Sequence, residues 1–307
     1  MTVNGMAVTT VIAETTARVR TRRLGDFTLH ALETGMQALD GGAMFGVVPK
    51  PLWERRIPAD ARNRIPLALR CLLVETPDTL VLVETGLGNK ENDKFRDIYG
   101  VSNAPSDPAY ADRLHELIAQ AGFAREDVGV VIDTHLHFDH AGGNTFRDAE
   151  GEVRLSFPNA RYHVQRGEWE WAHHTNERTA ASYLPDNYDP VMAAGRMELV
   201  EGDVEIVPGI SVYRTPGHCP HHQSVLLRSG GETACFLADV VPTFAHLPLP
   251  WIMGYDVEPL VTLESKRALA RRAVDERWLL VSTHDPFTPW GYAAADGRGV
   301  RLEDAGG

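Results

Sequence analysis

The chain has 307 residues, 43% of them hydrophobic, and a formal net charge of −12. That is ample apolar material for a large core, and the acidic balance argues against a nucleic-acid partner unless a local basic stripe exists. The basic runs at 18–23 and 54–56 are too short for such a stripe and read as a solvated face or a strand edge. The three cysteines, Cys71, Cys219 and Cys235, are an odd, low count without close pairing, which speaks against a disulfide framework. Cys71 and Cys235 lie in apolar strand-like runs and read as small core residues, whereas Cys219 follows a histidine and could be near a site. The N-terminal stretch lacks a basic start, an apolar core and a small-residue cleavage site. No apolar run approaches the ~20 residues of a membrane span, so a cytoplasmic protein without membrane attachment is expected.

In chain order, residues 24–33 alternate apolar and polar side chains as a strand does. A stretch rich in Gly and Pro, with Met, Phe, Val and Trp among them, then reads as a long apolar loop over about 34–64, plugging a core edge or lining a binding site. Residues 67–76 and 79–88 form a strand pair around Pro77-Asp78. A 3.6-residue apolar period through Tyr110, Leu114, Ile118 and Ala121, stopped by Gly122, predicts a helix over 107–123, with His115 on its surface. Residues 128–133, VGVVID, are continuously apolar like a buried strand; 160–174 read as strand then helix. Strands follow at 209–218 and 222–240, the second stretch folded back at Ser229-Gly230-Gly231. A helix is expected over 259–276 and a last strand over 277–286. β-rich segments alternating with helices imply two sheets packed together with helices outside, a layered α/β architecture forming one domain over 1–307.

The chemistry concentrates where the strand at 128–133 ends, in Thr134–Gly143, THLHFDHAGG. In an extended segment residues two apart point the same way, so His135 and His137 could grip one ion. Asp139 and His140 come after the chain turns and aim elsewhere. Gly142 and Gly143 would let backbone pass close to whatever is bound. Imidazole plus carboxylate suits zinc and similar borderline metals. Three other strand ends carry ligand-type residues: His218 in TPGH, Asp239 in FLADV and His284 in STHDP. A lone histidine at a strand end is usually a surface or satisfied core group, but four ligand types at fixed spacing rarely arise by accident. The seven residues suffice for two metals.

The pattern H-x-H-x-D-H, then T-P-G-H, then a strand-ending Asp and a late His, resembles the metallo-β-lactamase superfamily of hydrolases. The resemblance runs from about Thr79 to His284 and implies an αββα four-layer sandwich, two mixed sheets with helices outside, holding two divalent ions at one edge. By that likeness His135, His137 and His218 hold the first ion, Asp139, His140 and His284 the second, and Asp239 bridges both. Zinc is the default; manganese, iron and cobalt fit the same ligands. His137 stands where the family's flavodiiron branch has Glu, which favours hydrolysis over redox chemistry. The family often has D-T-G at the end of the second strand; here it is Glu84-Thr85-Gly86, whose extra methylene shifts the carboxylate.

The resemblance implies that two close metals supply a nucleophile near neutral pH, while Asp139 or Asp239 passes a proton to the leaving group. The tail after His284 is short for the glutathione-binding extension of glyoxalase-type relatives, and the inserted domain and basic surface of RNA-processing relatives are not evident. The motif is close to that of quorum-quenching acyl-homoserine lactonases, so a small-molecule lactone or ester is the expected substrate. Many of those have Tyr three residues after the bridging Asp, where this chain has Pro242. Tyr255 or His246 could substitute. Met44, Phe45 and Trp53 on one loop, and Trp251 and Met253 on another, are expected to join them as an apolar pocket. A homodimer contact is the other use for such residues. His222 is expected to make a structural hydrogen bond, His221 to be peripheral, and His173 and His174 not to be ligands. Phosphotriester, aryl ester and β-lactam hydrolysis are the competing activities. A metal-binding protein without turnover is the reading from another class, disfavoured because a structural zinc site closes with four ligands and no bridging carboxylate.

Overall fold

The structure, a computed structural model, describes residues 18–297 and 299–305; the stretch 1–17, expected to carry no targeting segment, lies outside them. The chain opens with strands β1 (Arg18–Leu24) and β2 (Phe27–Asp40), short helices α1 (Gly41–Phe45) and α2 (Lys50–Trp53), and strands β3 (Arg64–Glu75) and β4 (Leu80–Val83). Helices α3 (Asp93–Ile98) and α4 (Arg113–Gln120), strand β5 (Val128–Ile132) and the one-turn helix α5 (Phe138–Ala141) follow. Then come the small hairpin β6 (Thr145–Arg147) and β7 (Val153–Leu155), strand β8 (Arg161–Gln165), helices α6 (Arg166–Ala172) and α7 (Asp189–Ala193), and strand β9 (Met197–Val200). The second sheet is built from β10 (Val204–Val207), β11 (Ile210–Arg214), β12 (Gln223–Ser229), β13 (Glu232–Phe236), β14 (Leu279–Val281), β15 (Trp290–Asp296) and β16 (Gly299–Asp304), with helix α8 (Pro259–Asp275) between β13 and β14.

The first sheet runs β1-β2-β3-β4-β5-β8-β9 and the second β10-β11-β12-β13-β14-β15-β16. Both are mixed: β4, β5, β8 and β9 are parallel neighbours in one, β13 and β14 in the other, and the remaining pairs are antiparallel. Side chains divide by strand alternation. Leu72, Val74, Val81 and Val83 of the first sheet meet Val225, Leu227, Ala234, Phe236, Leu279 and Val281 of the second between the sheets. The alternate residues face outward: Cys71, Leu73 and Leu82 against Leu114, Leu117 and Ile118 of α4, and Leu226, Cys235 and Leu280 against Leu269 and Ala273 of α8. Helices thus cover the outer face of each sheet, giving the expected αββα order.

Several boundaries differ from expectation. Most of 34–64 is not loop: β2 continues to Asp40 and pairs with β3 as far as Asp40–Arg64, and α1 and α2 fill the connection. The extension passes a bulge between Glu33 and Gly35, which interrupts the alternation the sequence was read by. Helix α4 starts at Arg113, six residues late, because the Asp112 side chain caps it by accepting from the His115 N–H. His115 is buried rather than exposed, edge-on to Phe146 and Phe157. The strand ending before His284 is not the last: β15 and β16 extend the sheet beyond it. No helix among the described residues is long and apolar enough to cross a membrane.

Candidate metal centre

The ligand-type residues gather where strands of both sheets end. His135 and His137 lie on the segment leaving β5, Asp139 and His140 on α5, His218 after β11, Asp239 in the turn after β13, and His284 after β14. Gly142 and Gly143 do allow a close approach, but to protein: a Cβ at either would fall 2.3 or 2.2 Å from the carbonyl oxygens of Leu87 and Thr85. Their smallness presses α5 onto the end of β4, where the Gly143 N–H donates to the Gly86 carbonyl.

Hydrogen bonding around the histidines assigns their protons. His140 Nδ1 is 2.8 Å from Glu84 Oε1, His218 Nδ1 is 3.0 Å from Asp256 Oδ1, and His284 Nδ1 is 2.7 Å from the Ala68 carbonyl. Carboxylates and carbonyls only accept, so each Nδ1 carries a hydrogen and Nε2 is the ring nitrogen that each histidine turns toward the cluster. His284 Nε2 and His140 Nε2 nevertheless face each other at 3.2 Å, and His218 Nε2 lies 3.1 Å from His137 Nδ1. Ring nitrogens that close need a positive charge, a proton or a metal ion, between them. His135 Nε2 and Asp239 Oδ1 are buried and have no hydrogen-bond partner among the described residues. Orphaned ligand atoms beside facing ring nitrogens fit divalent cations, and three groups among the described residues meet the spacing: His135–His137–His218, Asp139–His140–His284, and Glu84–His135–His140, whose carboxylate is already bonded to His140 Nδ1.

Asp239 stands between the two groups. Its Oδ2 is 3.2 Å from His218 Nε2 and 3.5 Å from His140 Nε2, and its Oδ1 is 3.3 Å from His284 Nε2. Burial works against its charge, but His140, His218 and His284 outweigh burial and hold its pKa well below the usual carboxylate range. Burial, reinforced by neighbouring histidines, keeps His135 and His137 well below the ordinary imidazole value, in the neutral form that ligates metal.

Glu84, where the family often has Asp, does reach the site. It is buried with a φ of 60°, and its Oε1 accepts from Thr134 Oγ1 at 2.5 Å as well as from His140. The left-handed backbone turns the longer side chain inward. His222 bonds as expected: burial pushes it down to about 3, its Nδ1 meets Thr215, and its Nε2 accepts the Asp239 N–H at 3.1 Å. His221 is exposed, and His173 pairs with Asp189 rather than with the cluster. Cys219 is fully buried.

The cluster lies in the wall of a cavity of about 350 Å³ whose lining includes His137, Asp139, His218, Asp239 and His284. Met44, Met253 and Tyr255 also line it, with Leu39, Leu67 and Val257. Phe45, Trp53, His246 and Trp251 do not reach it, against expectation. Phe45 is sandwiched between Trp53 at 5.3 Å and His246 at 4.4 Å, with Trp251 edge-on at 5.7 Å. This stack is a small core behind the cavity, locked by His246 Nε2, which donates to the Met44 carbonyl.

The sequence pattern of the metallo-beta-lactamase superfamily matches residues 65–284. The chain belongs to that superfamily. An N-acyl homoserine lactonase of Bacillus cereus is 32% identical over 73% of this chain and 83% of its own length. A probable metal-dependent hydrolase from Staphylococcus aureus superposes with a TM-score of 0.83 at 29% identity, over 93% of this chain and 100% of that one. The dizinc quorum-quenching lactonase AidC shares the fold, with a TM-score of 0.78 at 19% identity, over 95% and 98% of the two chains. The protein is thus a hydrolase of the metallo-beta-lactamase fold with a two-metal ligand set.

Three residues of this metallo-beta-lactamase site escaped sequence reasoning. Asp256 orients His218. Glu168, fully buried, accepts from the Leu136 N–H and from the Tyr183 Oη–H at 2.9 Å, while the Tyr183 ring packs on His137. Gln37 donates to Asp139 Oδ2. The one local signal was a polar residue inside an apolar run, which Gln37 shows and Glu168 and Asp256 do not.

Proposed function

We propose that this hydrolase opens lactones, acyl-homoserine lactones first, with two zinc ions. The carrying observation is the two sets of converging ring nitrogens with Asp239 between them, set in the wall of a largely apolar cavity. His135, His137 and His218 would hold one ion, Asp139, His140 and His284 the other, and Asp239 both. Bound divalent ions supply Lewis-acid polarisation of the scissile carbonyl and lower the pKa of water to about 7.

The chain's own groups do the rest. Glu84, Asp256 and the Ala68 carbonyl fix the ring orientations of His140, His218 and His284. Leu39, Leu67, Met44, Met253 and Val257 exclude water and seat an acyl chain beside the reacting carbonyl. Asp139 or Asp239, both at the cavity wall, is the carboxylate through which a proton returns to the leaving alkoxide. The curated N-acyl homoserine lactonases at 30–32% identity support this substrate class. The protein acts as one domain, in the cytoplasm, on a small molecule, and as a homodimer.

The test is acid release from a long-chain acyl-homoserine lactone by zinc-loaded protein, with metal-stripped protein as control. Metal-dependent acid production is expected. None, from protein holding two ions, would overturn the lactone reading and leave aryl esters or phosphotriesters.

A further inference from the structure

We propose that Gln37 is a positioning residue that holds the Asp139 carboxylate for the second metal ion; this rests on the assignment of Asp139 to that ion. Gln37 lies in β2 after the Glu33–Gly35 bulge and pairs across strands with Leu67. Directly opposite residues of an antiparallel pair share a face, and Leu67 lines the cavity. The bulge is what turns the side chain there, because an extra residue shifts every later side chain of the strand.

Gln37 is 1% exposed, and its Nε2 donates to Asp139 Oδ2 at 2.5 Å across 102 residues of sequence. An ionised carboxylate only accepts, so the amide must present its NH2 and turn its carbonyl away. That carbonyl, Oε1, has no partner among the described residues. A buried oxygen without a partner destabilises a fold, and a methionine of similar size would pack in this strand without that cost. Local stability therefore does not account for a glutamine here; the bond to Asp139 does.

Asp139 needs such a bond. It sits on a helix of only four residues, and no other hydrogen bond reaches its carboxylate among the described residues. Its remaining close contacts are His140 Nε2, 3.7 Å from Oδ1, and His284 Nε2, 3.6 Å from Oδ2, the two nitrogens that face the ion. The histidine ligands His140, His218 and His284 each have an anchor of their own on the far ring nitrogen. Gln37 is the corresponding anchor for the carboxylate.

The experiment compares Gln37→Met, Gln37→Glu and Asp139→Ala with the unaltered protein, by zinc stoichiometry under chelator competition and by thermal unfolding of the metal-free forms. In Gln37→Met the second zinc should bind about 10–100-fold more weakly, the first should be unchanged, and metal-free unfolding should not fall. Gln37→Glu keeps the volume but sets a carboxylate against Asp139, and should lose the second zinc as well; it decides the matter if the methionine variant does not fold. Two zinc ions held as tightly in both Gln37 variants, while Asp139→Ala loses one, would overturn the proposal. So would equal loss of both ions together with a lower metal-free unfolding temperature, which marks a merely structural residue. Retention of both ions by Asp139→Ala would instead overturn the ligand assignment beneath it.

Discussion

His218 and Asp256 are 38 residues apart in sequence and 3.0 Å apart in space, Nδ1 to Oδ1. Asp256 is buried, and its other oxygen has no partner among the described residues, so its one bond is spent on orienting a single imidazole. Asp256→Ala should weaken metal affinity about 10–100-fold. Asp256→Asn should fall between, since an amide oxygen still accepts from Nδ1–H. Competition for zinc with a calibrated chelator reads both.

The cavity and the aromatic stack behind it should respond differently to truncation. Phe45→Ala removes the centre of the stack and should cost about 3–5 kcal/mol of stability, read as a lower denaturation midpoint. Met253→Trp fills space inside the cavity instead. It should raise KM for a long-chain substrate by about tenfold or more, with a short-chain substrate much less affected. Equal effects on both chain lengths would place the acyl chain elsewhere.

Lys266 of α8 is a buried amine without a carboxylate within ion-pair distance among the described residues, and burial pushes its pKa down to about 7. Its Nζ donates to the carbonyls of His246 and Trp251, each at 2.7 Å, and of Pro248 at 3.0 Å. It thereby ties down the segment leading to Met253 and Tyr255. Lys266→Met strands these carbonyls, each worth about 1–3 kcal/mol when unpaired and buried. The variant should unfold at lower urea and turn over substrate with raised KM, the segment having lost its anchor. An unchanged urea midpoint would mean the segment is held by its own packing.

His115 makes a stability prediction with a definite sign. Burial lowers its pKa from 6.5, with Asp112 opposing, so the ring is neutral in the fold. The unfolded chain takes up a proton below 6.5 that the fold resists, so the histidine's contribution is complete above that value and is lost as pH falls below it. His115→Gln should unfold with a flatter pH dependence than the unaltered protein between about 6.5 and 5. Parallel curves over that range would remove His115 as a source of acid sensitivity.

The short-range patterns were legible in the sequence. HLHFDH places four ligand-type residues within six positions, and extended backbone alone points His135 and His137 the same way. Apolar runs folded back at turn residues likewise marked β3, β4, β12 and β13 as strands, and with them the layered architecture. What spacing cannot carry is a contact between residues far apart in the chain. The bulge in β2 that turns Gln37 toward Asp139, and the left-handed backbone that brings Glu84 to His140, exist only once the sheets are assembled. The same holds for the loops: Met44 and Phe45 are neighbours of equal hydrophobicity, yet one lines the cavity and the other is stacked behind it. Local periodicity determined which side chains the chain presents at its strand ends. The assembly of the first sheet, by setting β2 beside the segment that follows β5 and so bringing residues about a hundred positions apart within hydrogen-bond distance, decided which of them touch.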